Sequence, residues 1–210
     1  MTKAAPVFTV QPAKLFSSRA ILISSLYGFI LMLPVVVAIM GVTLLQFGVW
    51  TFLVPLAVIG AATYFLPLGF GNPYVTRLVQ PLRPPSVQPQ DLFVVQFSTA
   101  PRIRSGPMAL LEDADDIGVL AFTDSTMEFY GDSVRLSVPF DEIKDLRQRN
   151  AGFRALFAYG NQLAFQVPSL NGAGFRFAER SSRVLPSSRK IADRMYQQLK
   201  AKVRPATDAA

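Results

Sequence analysis

Charged side chains in the second half of the chain are the first candidates for chemistry. An acidic cluster is formed by Glu112, Asp113, Asp115 and Asp116. Neighbouring carboxylates can supply oxygen ligands to Ca²⁺ or Mg²⁺, and paired carboxylates can act as acid and base. This cluster has neither the ligand spacing nor the terminal glutamate of a calcium loop. We expect a solvated loop between strands, or one that pairs with Arg102 and Arg104. The alternative is that these six residues form a docking loop for a protein partner.

A basic set of residues follows the acidic cluster along the chain. Residues 91–145 hold 11 acidic and 4 basic side chains, whereas residues 146–210 hold 3 acidic and 12 basic ones. We predict that nine of the later residues bind anionic lipid headgroups, which attract such side chains by about 1 kcal/mol each. They are Arg147, Arg149, Arg154, Arg176, Arg180, Arg183, Arg189, Lys190 and Arg194. The alternative is that they pair with the acidic half of the domain.

The absence of two residue types removes most familiar active sites. The 210 residues include no cysteine and no histidine. Disulfides, thiol nucleophiles, imidazole bases and the usual zinc, copper and haem ligands are therefore excluded. The basic residues also lack the interleaved aromatic surface on which single-stranded nucleic acid stacks. We predict a non-enzymatic protein with no catalytic residue, no metal, no cofactor and no nucleic-acid partner.

An uncharged run in the first half of the chain predicts insertion into a membrane. The 57 residues between Arg19 and Arg77 hold no Asp, Glu, Lys or Arg, and about 20 apolar residues suffice for one helical crossing. We predict two transmembrane helices, at residues 20–45 and 49–70. The alternative, a secretory signal peptide, has a much shorter apolar run. Because basic residues flank both spans, we expect both termini in the cytoplasm and the bilayer of the inner (plasma) membrane as the first partner.

The chain changes character twice after this run. Residues 71–90 are rich in proline, which favours an extended spacer. From Asp91 onward, short segments with period-two alternation predict seven antiparallel strands. These are residues 92–98, 117–123, 127–130, 134–139, 153–159, 162–168 and 174–178. Ile191, Met195 and Leu199 then recur every fourth position, which predicts an amphipathic helix from Ser187 or Ser188 to about Ala201.

Three segments of this β-rich region resemble bacterial PH-like and GRAM-type domains. They are residues 118–124 (GVLAFTD), 127–130 (MEFY) and 138–146 (VPFDEIKDL). The first is similar to the "G-x-L-x-x-T-D" strand of those families, and the last is similar to their "V-P-F-x-x-I" strand end. The resemblance implies antiparallel strands closed by a C-terminal helix, with a scaffold role. The nearest match to the basic motif of phosphoinositide-binding PH domains is Arg102–Arg104, and the adjacent acidic cluster argues against a specific phosphoinositide site.

The predicted fold class is an N-terminal α-helical transmembrane hairpin of two spans plus a C-terminal β-rich PH-like domain. The predicted order is a tail (1–19), the hairpin (20–70), the linker (71–90), the PH-like domain (91–204) and a tail (205–210). We predict a non-enzymatic integral membrane protein whose cytoplasmic domain binds a protein partner, a second copy of the chain or the anionic membrane surface. The alternative is a structural subunit of a membrane complex in which the hairpin makes the main contacts.

Overall fold

An antiparallel sheet and one long helix make up most of the described structure. The computed structural model describes residues 5–17, 19–20, 72–85, 87, 92–103, 114–149 and 161–203, with single positions at 23, 33, 36, 37, 40, 41, 53 and 57. The strands are β1 (Val7–Val10), β2 (Leu92–Ala100), β3 (Asp116–Phe122), β4 (Thr126–Gly131), β5 (Val134–Pro139), β6 (Lys144–Arg149), β7 (Gln162–Val167) and β8 (Ala173–Glu179). The helices are α1 (Asn72–Leu78) and α2 (Leu185–Val203).

The eight strands form a single sheet that curls into half a barrel. Their order is β1-β5-β4-β3-β2-β8-β7-β6, and every neighbouring pair is antiparallel. Four strands separate β1 from β8 in this order. Nevertheless, the ring of Phe8 on β1 lies 5.6 Å from the ring of Phe175 on β8, centroid to centroid. The sheet must therefore curve strongly, with Phe8 on its concave face.

The main hydrophobic core fills the concave face. Strand residues alternate between the two faces of a sheet, and the inward positions here are dominated by phenylalanine. The buried rings are Phe93, Phe97, Phe122, Phe129, Phe140, Phe165, Phe175 and Phe177. Helix α2 closes this face, because Met195 and Leu199 are fully buried in the same cluster. The apolar stripe predicted for this helix is therefore its contact with the sheet.

A second apolar cluster lies on the opposite, convex face. Phe16 from the N-terminal segment packs against Val94 on β2 and against Ile117 and Val119 on β3. Val75 of α1 and Val79 just after it belong to the same cluster and are buried. We call these six residues the junction (Phe16, Val75, Val79, Val94, Ile117, Val119). It brings together the chain segments at the two ends of the uncharged run.

The predicted fold class is wrong in its N-terminal half. No helix within the described residues is long and apolar enough to cross a membrane: α1 has seven residues, and the 19-residue α2 carries charged side chains along its length. Residues 7–10, predicted as part of a tail, form β1 because Phe8 enters the core while the backbone pairs with β5. Most of residues 20–70 lies outside the described residues.

The predicted β-rich half agrees more closely with the structure. Six predicted strands match β2, β3, β4, β5, β7 and β8 to within two residues, and α2 lies where a helix was predicted. The predicted strand at 153–159 falls outside the described residues. Strand β6 was missed because its sequence, KDLRQR, has no apolar alternation. The segment predicted as a linker contains α1 and a 3-10 turn at Gln80–Leu82, and it packs on the junction through Val75 and Val79.

Candidate functional site

Three of the predicted basic residues meet on the convex face because of the strand register. Arg147 on β6 lies opposite Ala164 on β7. Ala164 lies opposite Arg176 on β8, which in turn lies opposite Ser98 on β2. Opposed residues on neighbouring strands share a face, so these four side chains form one row across four strands. Arg149, two residues beyond Arg147, lies on the same face.

A cavity of about 120 Å³ lies between these arginines. Its lining includes Arg147, Arg149 and Arg176 together with Ala164 and Gly174. The two small residues leave the space, since neither carries a side chain longer than a methyl group. We call the cavity with its three arginines the arginine groove. It is open to solvent, because all three arginines are exposed.

One carboxylate lies within the arginine groove. Asp145 also lines the cavity, and its Oδ1 is 3.5 Å from Nη2 of Arg147. Asp145 has a φ of 51°, and the pairing of β6 with β7 is irregular between Lys144 and Arg147. More than half of each side chain in this ion pair is exposed, and such pairs contribute at most about 1 kcal/mol. Three guanidinium groups and one carboxylate give the lining a net charge of +2.

The chemistry available in the arginine groove is anion binding. A guanidinium group is planar, stays charged, and presents donors in a fork that matches two oxygens of a carboxylate or phosphate. Hydrogen bonds to an ionised acceptor are roughly twice as strong as neutral ones. Gln166, which is exposed and lines the same cavity, adds an uncharged donor and acceptor. The groove can hold an anionic group by these contacts without making or breaking a covalent bond.

The other predicted basic residues lie elsewhere. Arg189, Lys190 and Arg194 are exposed on α2, which covers the opposite face of the sheet. Arg183 is exposed in the segment between β8 and α2. Arg154 lies outside the described residues. The structure thus divides the predicted basic surface into a convex group and a helix group.

Arg180 is buried and belongs to neither group. Only 4% of the residue is exposed. Its Nε donates a hydrogen bond to Oδ1 of Asn72 at 2.7 Å, and its Nη1 donates to Oε1 of Gln96 at 2.5 Å. Asn72 in turn donates through Nδ2 to the carbonyl oxygen of Ser182 at 2.7 Å. These bonds fix the start of α1 to β2 and to the segment after β8, so the guanidinium is not available to the arginine groove.

A second buried charged residue precedes Arg180. Glu179 is completely buried, and its Oε1 accepts hydrogen bonds from the backbone N–H and hydroxyl groups of Ser181 and Ser182, at 2.5 to 3.0 Å. Its Oε2 lies in the interior without a hydrogen-bond partner. The carboxylate therefore holds the chain that leads into α2. The sequence offered no sign of this role, since Glu179 stands alone at the end of a strand.

Two members of the predicted acidic loop hold the fold together. Asp115 is 4% exposed, and its Oδ2 accepts hydrogen bonds from the backbone N–H and the hydroxyl of Thr99 at 2.7 and 2.9 Å. Asp116 is fully buried at the start of β3. Arg102 is exposed, whereas Arg104, Glu112 and Asp113 lie outside the described residues. The docking-loop alternative remains a prediction, and Asp115 and Asp116 lie inside the fold.

Asp116 is an unusual carboxylate. Its Oδ2 accepts hydrogen bonds from the N–H groups of Ser133 and Val134 at 2.8 and 2.7 Å, and its Oδ1 accepts one from Ile117. Burial raises the pKa of Asp116 from 3.8 to about 6, even though these three donors lower it; the nearby charge of Asp132 raises the pKa further. The two carboxylates lie at the turn between β4 and β5.

Asp132 attaches the N-terminal segment to this turn. Its Oδ2 accepts hydrogen bonds from the backbone N–H groups of Lys14, Leu15 and Phe16, all at 2.7 to 2.8 Å. The sequence Gly131–Asp132 predicts a turn, but nothing in it indicates a contact with residues more than 100 positions earlier. Gly131 is required here, because a Cβ atom would lie 2.2 Å from Oδ2 of Asp116.

The junction and the arginine groove share one face of the sheet. Val94, Gln96 and Ser98 alternate with inward residues along β2 and therefore point to the same side. Val94 belongs to the junction, and Ser98 lies opposite Arg176. Four residues of strand span about 13 Å. The ends of the uncharged run are thus anchored beside the basic residues, on the same side of the domain.

Comparison of the chain with protein-family models, curated proteins and solved structures gives no match. Within the described parts of the chain, no group of three acidic side chains is placed to hold a metal ion. Fold and site together define a class of protein: a half-barrel β domain with a basic convex face. The resemblance to PH-like and GRAM-type domains stays a prediction.

Proposed function

We propose that this protein is a non-enzymatic, membrane-associated binding domain whose arginine groove contacts anionic lipid headgroups. One observation carries the proposal: the groove lies on the face of the sheet where both ends of the uncharged run are anchored. A membrane in contact with this run would lie on the same side of the domain as Arg147, Arg149 and Arg176. The anionic cytoplasmic leaflet is the surface with the complementary charge.

The described positions of the uncharged run support a membrane contact. Six of its large apolar side chains are 40% to 59% exposed: Ile23, Leu33, Val36, Val37, Met40 and Leu53. Exposed apolar side chains in such numbers are typical of surfaces that contact a membrane or another protein. The 57 uncharged residues of the run would supply the apolar part of the contact. The arginine groove would supply the electrostatic part.

Three arginines close to an anionic surface would contribute about 3 kcal/mol, at about 1 kcal/mol for each residue. This energy depends on ionic strength, since charges are screened over about 10 Å at 0.1 M salt. The contact should therefore weaken in high salt, whereas an apolar attachment should not. Salt sensitivity at the groove, and only there, is the signature of the proposed function.

Site-specific fluorescence on the full chain tests this proposal. The chain has no cysteine, so a single Gln166→Cys variant places one environment-sensitive dye beside the groove. Gln197→Cys, which is exposed on α2, places the same dye on the other side of the domain. The full chain is mixed with vesicles that contain or lack phosphatidylglycerol. We expect a salt-sensitive shift of the Gln166→Cys dye in anionic vesicles and little change at Gln197→Cys.

Charge reversal provides a matched control. Arg147→Glu with Arg176→Glu changes the net charge by the same amount as Arg189→Glu with Lys190→Glu on α2. The groove variant should lose the fluorescence shift, and the helix variant should keep it. If both variants lost the fluorescence shift equally, the shift would depend on net charge alone, which would contradict the proposal. A shift confined to Gln197→Cys would place the membrane contact on α2 instead.

A further inference from the structure

The two end strands of the sheet differ in how they resist pairing with another strand. An end strand presents unpaired N–H and C=O groups, and proteins commonly protect it with charged side chains, bulges or proline. In the described part of this chain the end strands are β1 and β6. The contrast between them is a property of the sheet itself and does not depend on the proposed function.

Strand β6 is well protected. Lys144, Arg147 and Arg149 are exposed along it, so an approaching strand meets three positive charges. The irregular register between Lys144 and Arg147 and the positive φ of Asp145 also distort its backbone. A regular ladder of hydrogen bonds could not continue past this strand without correcting the bulge.

Strand β1 has none of these protections along its length. Its sequence is VFTV, without a charge, and its register with β5 is regular over all four residues. Val7 and Val10 are each 52% exposed. Pro6 and Pro12 bracket the strand, and since proline has no N–H donor, they limit any added ladder to the residues between them. The segment of a partner strand that pairs with β1 must therefore be short.

The alternation of backbone hydrogen bonds along β1 decides which of its N–H and C=O groups face away from β5. The N–H of Gln11 donates to the carbonyl oxygen of Ser133 at 2.6 Å. In an antiparallel pair every second residue bonds to the neighbouring strand. Residues 7, 9 and 11 therefore bond to β5, and the N–H and C=O groups of Phe8 and Val10 face away from it.

We propose that β1 pairs antiparallel with β1 of a second copy of this chain, to form a symmetric dimer. The outward groups fix the register: Phe8 of one copy lies opposite Val10 of the other, and Thr9 lies opposite Thr9 on the twofold axis. Each Phe8–Val10 pair can exchange two backbone hydrogen bonds. The second copy is the occupant because its own β1 has the required length, lacks charge, and is self-complementary about Thr9. Pairing at this edge leaves the ring of Phe8 in the core.

Disulfide crosslinking tests the register. Residues opposite each other in a non-hydrogen-bonded antiparallel pair have Cα atoms about 4.5 Å apart, within the range of about 4.4 to 6.8 Å that a disulfide spans. The Thr9→Cys variant of the full chain, in mild detergent under oxidising conditions, should form a covalent dimer rapidly. Ser125→Cys, which is exposed in the turn between β3 and β4, is the control and should crosslink far more slowly. Equal rates for the two variants would overturn the proposal.

A second variant tests the contact without relying on a crosslink. Val10→Lys gives β1 a charge of the kind that protects β6, and its side chain is more than half exposed, so the fold should be retained. We expect the dimer dissociation constant, measured by sedimentation of the full chain, to rise at least tenfold. Gln197→Lys, on the exposed side of α2, adds the same charge and should change nothing. A dimer that is insensitive to Val10→Lys, or a chain that is monomeric throughout, would rule out pairing through β1.

Discussion

The two faces of the sheet are built from the same strands but serve different purposes. The concave face is filled by phenylalanine rings and closed by α2. The convex face is apolar only at the junction, and further along it carries the arginine groove. On β8 the difference arises between adjacent residues: Phe175 and Phe177 are fully buried on one side, and Arg176 between them is exposed on the other. Stability and binding are thus assigned to alternate positions of one strand.

This comparison separates residues that the sequence alone treats as one group. Arg176 on β8 and Arg180, the residue just after β8, lie on the same face, yet the first is exposed beside a cavity and the second is hydrogen-bonded in the interior. What distinguishes them is the neighbour on the convex face. Arg180 lies where α1 covers the sheet, and Arg176 lies beyond the end of that cover. The segment that covers each position decides whether its charge is structural or available to a ligand.

The largest expected effect is a difference between the two faces in how much a truncated side chain lowers the free energy of unfolding. Phe97 is fully buried, and its ring contacts those of Phe8, Phe129, Phe175 and Phe177. Phe97→Ala should lower the free energy of unfolding by about 3 to 5 kcal/mol, the usual cost of emptying a packed aromatic site. Val94→Ala, on the convex side of the same strand, removes two methyl groups and should cost about 1.5 kcal/mol. Urea denaturation of the full chain, followed by circular dichroism, measures both. Equal losses would mean that the junction is as much a core as the concave face.

The next effect tests the buried arginine against an exposed one. Arg180→Leu removes the donor that bonds the side-chain oxygens of Asn72 and Gln96. It should cost about 2 to 6 kcal/mol, since each of the two unsatisfied buried groups costs about 1 to 3 kcal/mol. Arg176→Leu is the same substitution four residues earlier on the same face, and it should change stability by less than about 0.5 kcal/mol. Hydrogen exchange should also show faster exchange of the α1 amides in Arg180→Leu alone. If α1 stayed protected, the hydrogen bonds to Arg180 would not be what fixes this helix.

Much of this fold could be predicted from the sequence, and the exceptions share a physical cause. Period-two alternation predicted β2, β3, β4, β5, β7 and β8, because the residues on one side of each strand differ in type from those on the other side. Strand β6 escaped notice because Leu146 is its single apolar residue, and β1 because its pairing partner lies more than 120 residues away. Local pattern carries no information about such a distant partner.

The candidate site was predictable only in its chemistry. The basic composition of the later strands indicated an anionic ligand, and Arg147, Arg149 and Arg176 do come together. Which arginines would meet depended on the register between β6, β7 and β8, which the sequence did not determine. Asp115 and Asp116 were expected in a solvated loop because of their charge. They are buried instead, because backbone N–H groups and the hydroxyl of Thr99 satisfy their oxygens.

A pH titration tests the buried carboxylate of Asp116, at the start of β3, against the exposed charges of the arginine groove. Burial raises the pKa of Asp116 to about 6, above its ordinary value of 3.8. Between pH 4 and 6, Asp116 is therefore protonated in the folded state but ionised in the unfolded state. Its contribution to the free energy of unfolding is full below pH 4 and is lost as the pH rises through 6. At about 1.4 kcal/mol for each pKa unit, the change across this window is about 2 to 3 kcal/mol.

The comparison of the normal chain with Asp116→Asn isolates this effect from other carboxylates. The amide group of the asparagine faces backbone donors where a carboxylate oxygen accepted, and it stays neutral at every pH. Its loss of stability relative to the normal chain should therefore be largest near pH 4 and shrink as the pH rises through 6. Its stability should also lack the component that declines from pH 4 to pH 6. Urea midpoints at half-unit pH intervals give the two curves. If the difference between them did not change with pH, Asp116 would titrate alike in the folded and unfolded states.

The smallest effect on stability is expected at the ion pair in the arginine groove. Asp145→Asn keeps a residue that tolerates the positive φ of this position, and it removes the single negative charge lining the cavity. The exposed pair with Arg147 contributes little, so the free energy of unfolding should change by less than about 0.5 kcal/mol. Binding should respond in the opposite direction. With the lining charge raised from +2 to +3, the salt-sensitive contact of the full chain with phosphatidylglycerol vesicles should strengthen severalfold, as expected for about 1 kcal/mol per charge near the surface. Asp124→Asn, which removes the same charge from an exposed turn, should leave that contact unchanged. Stronger vesicle binding in both variants would reflect net charge alone. Unchanged binding in both would mean that the groove does not face the membrane. The convex face would then differ from the concave face in its packing and not in its ligand.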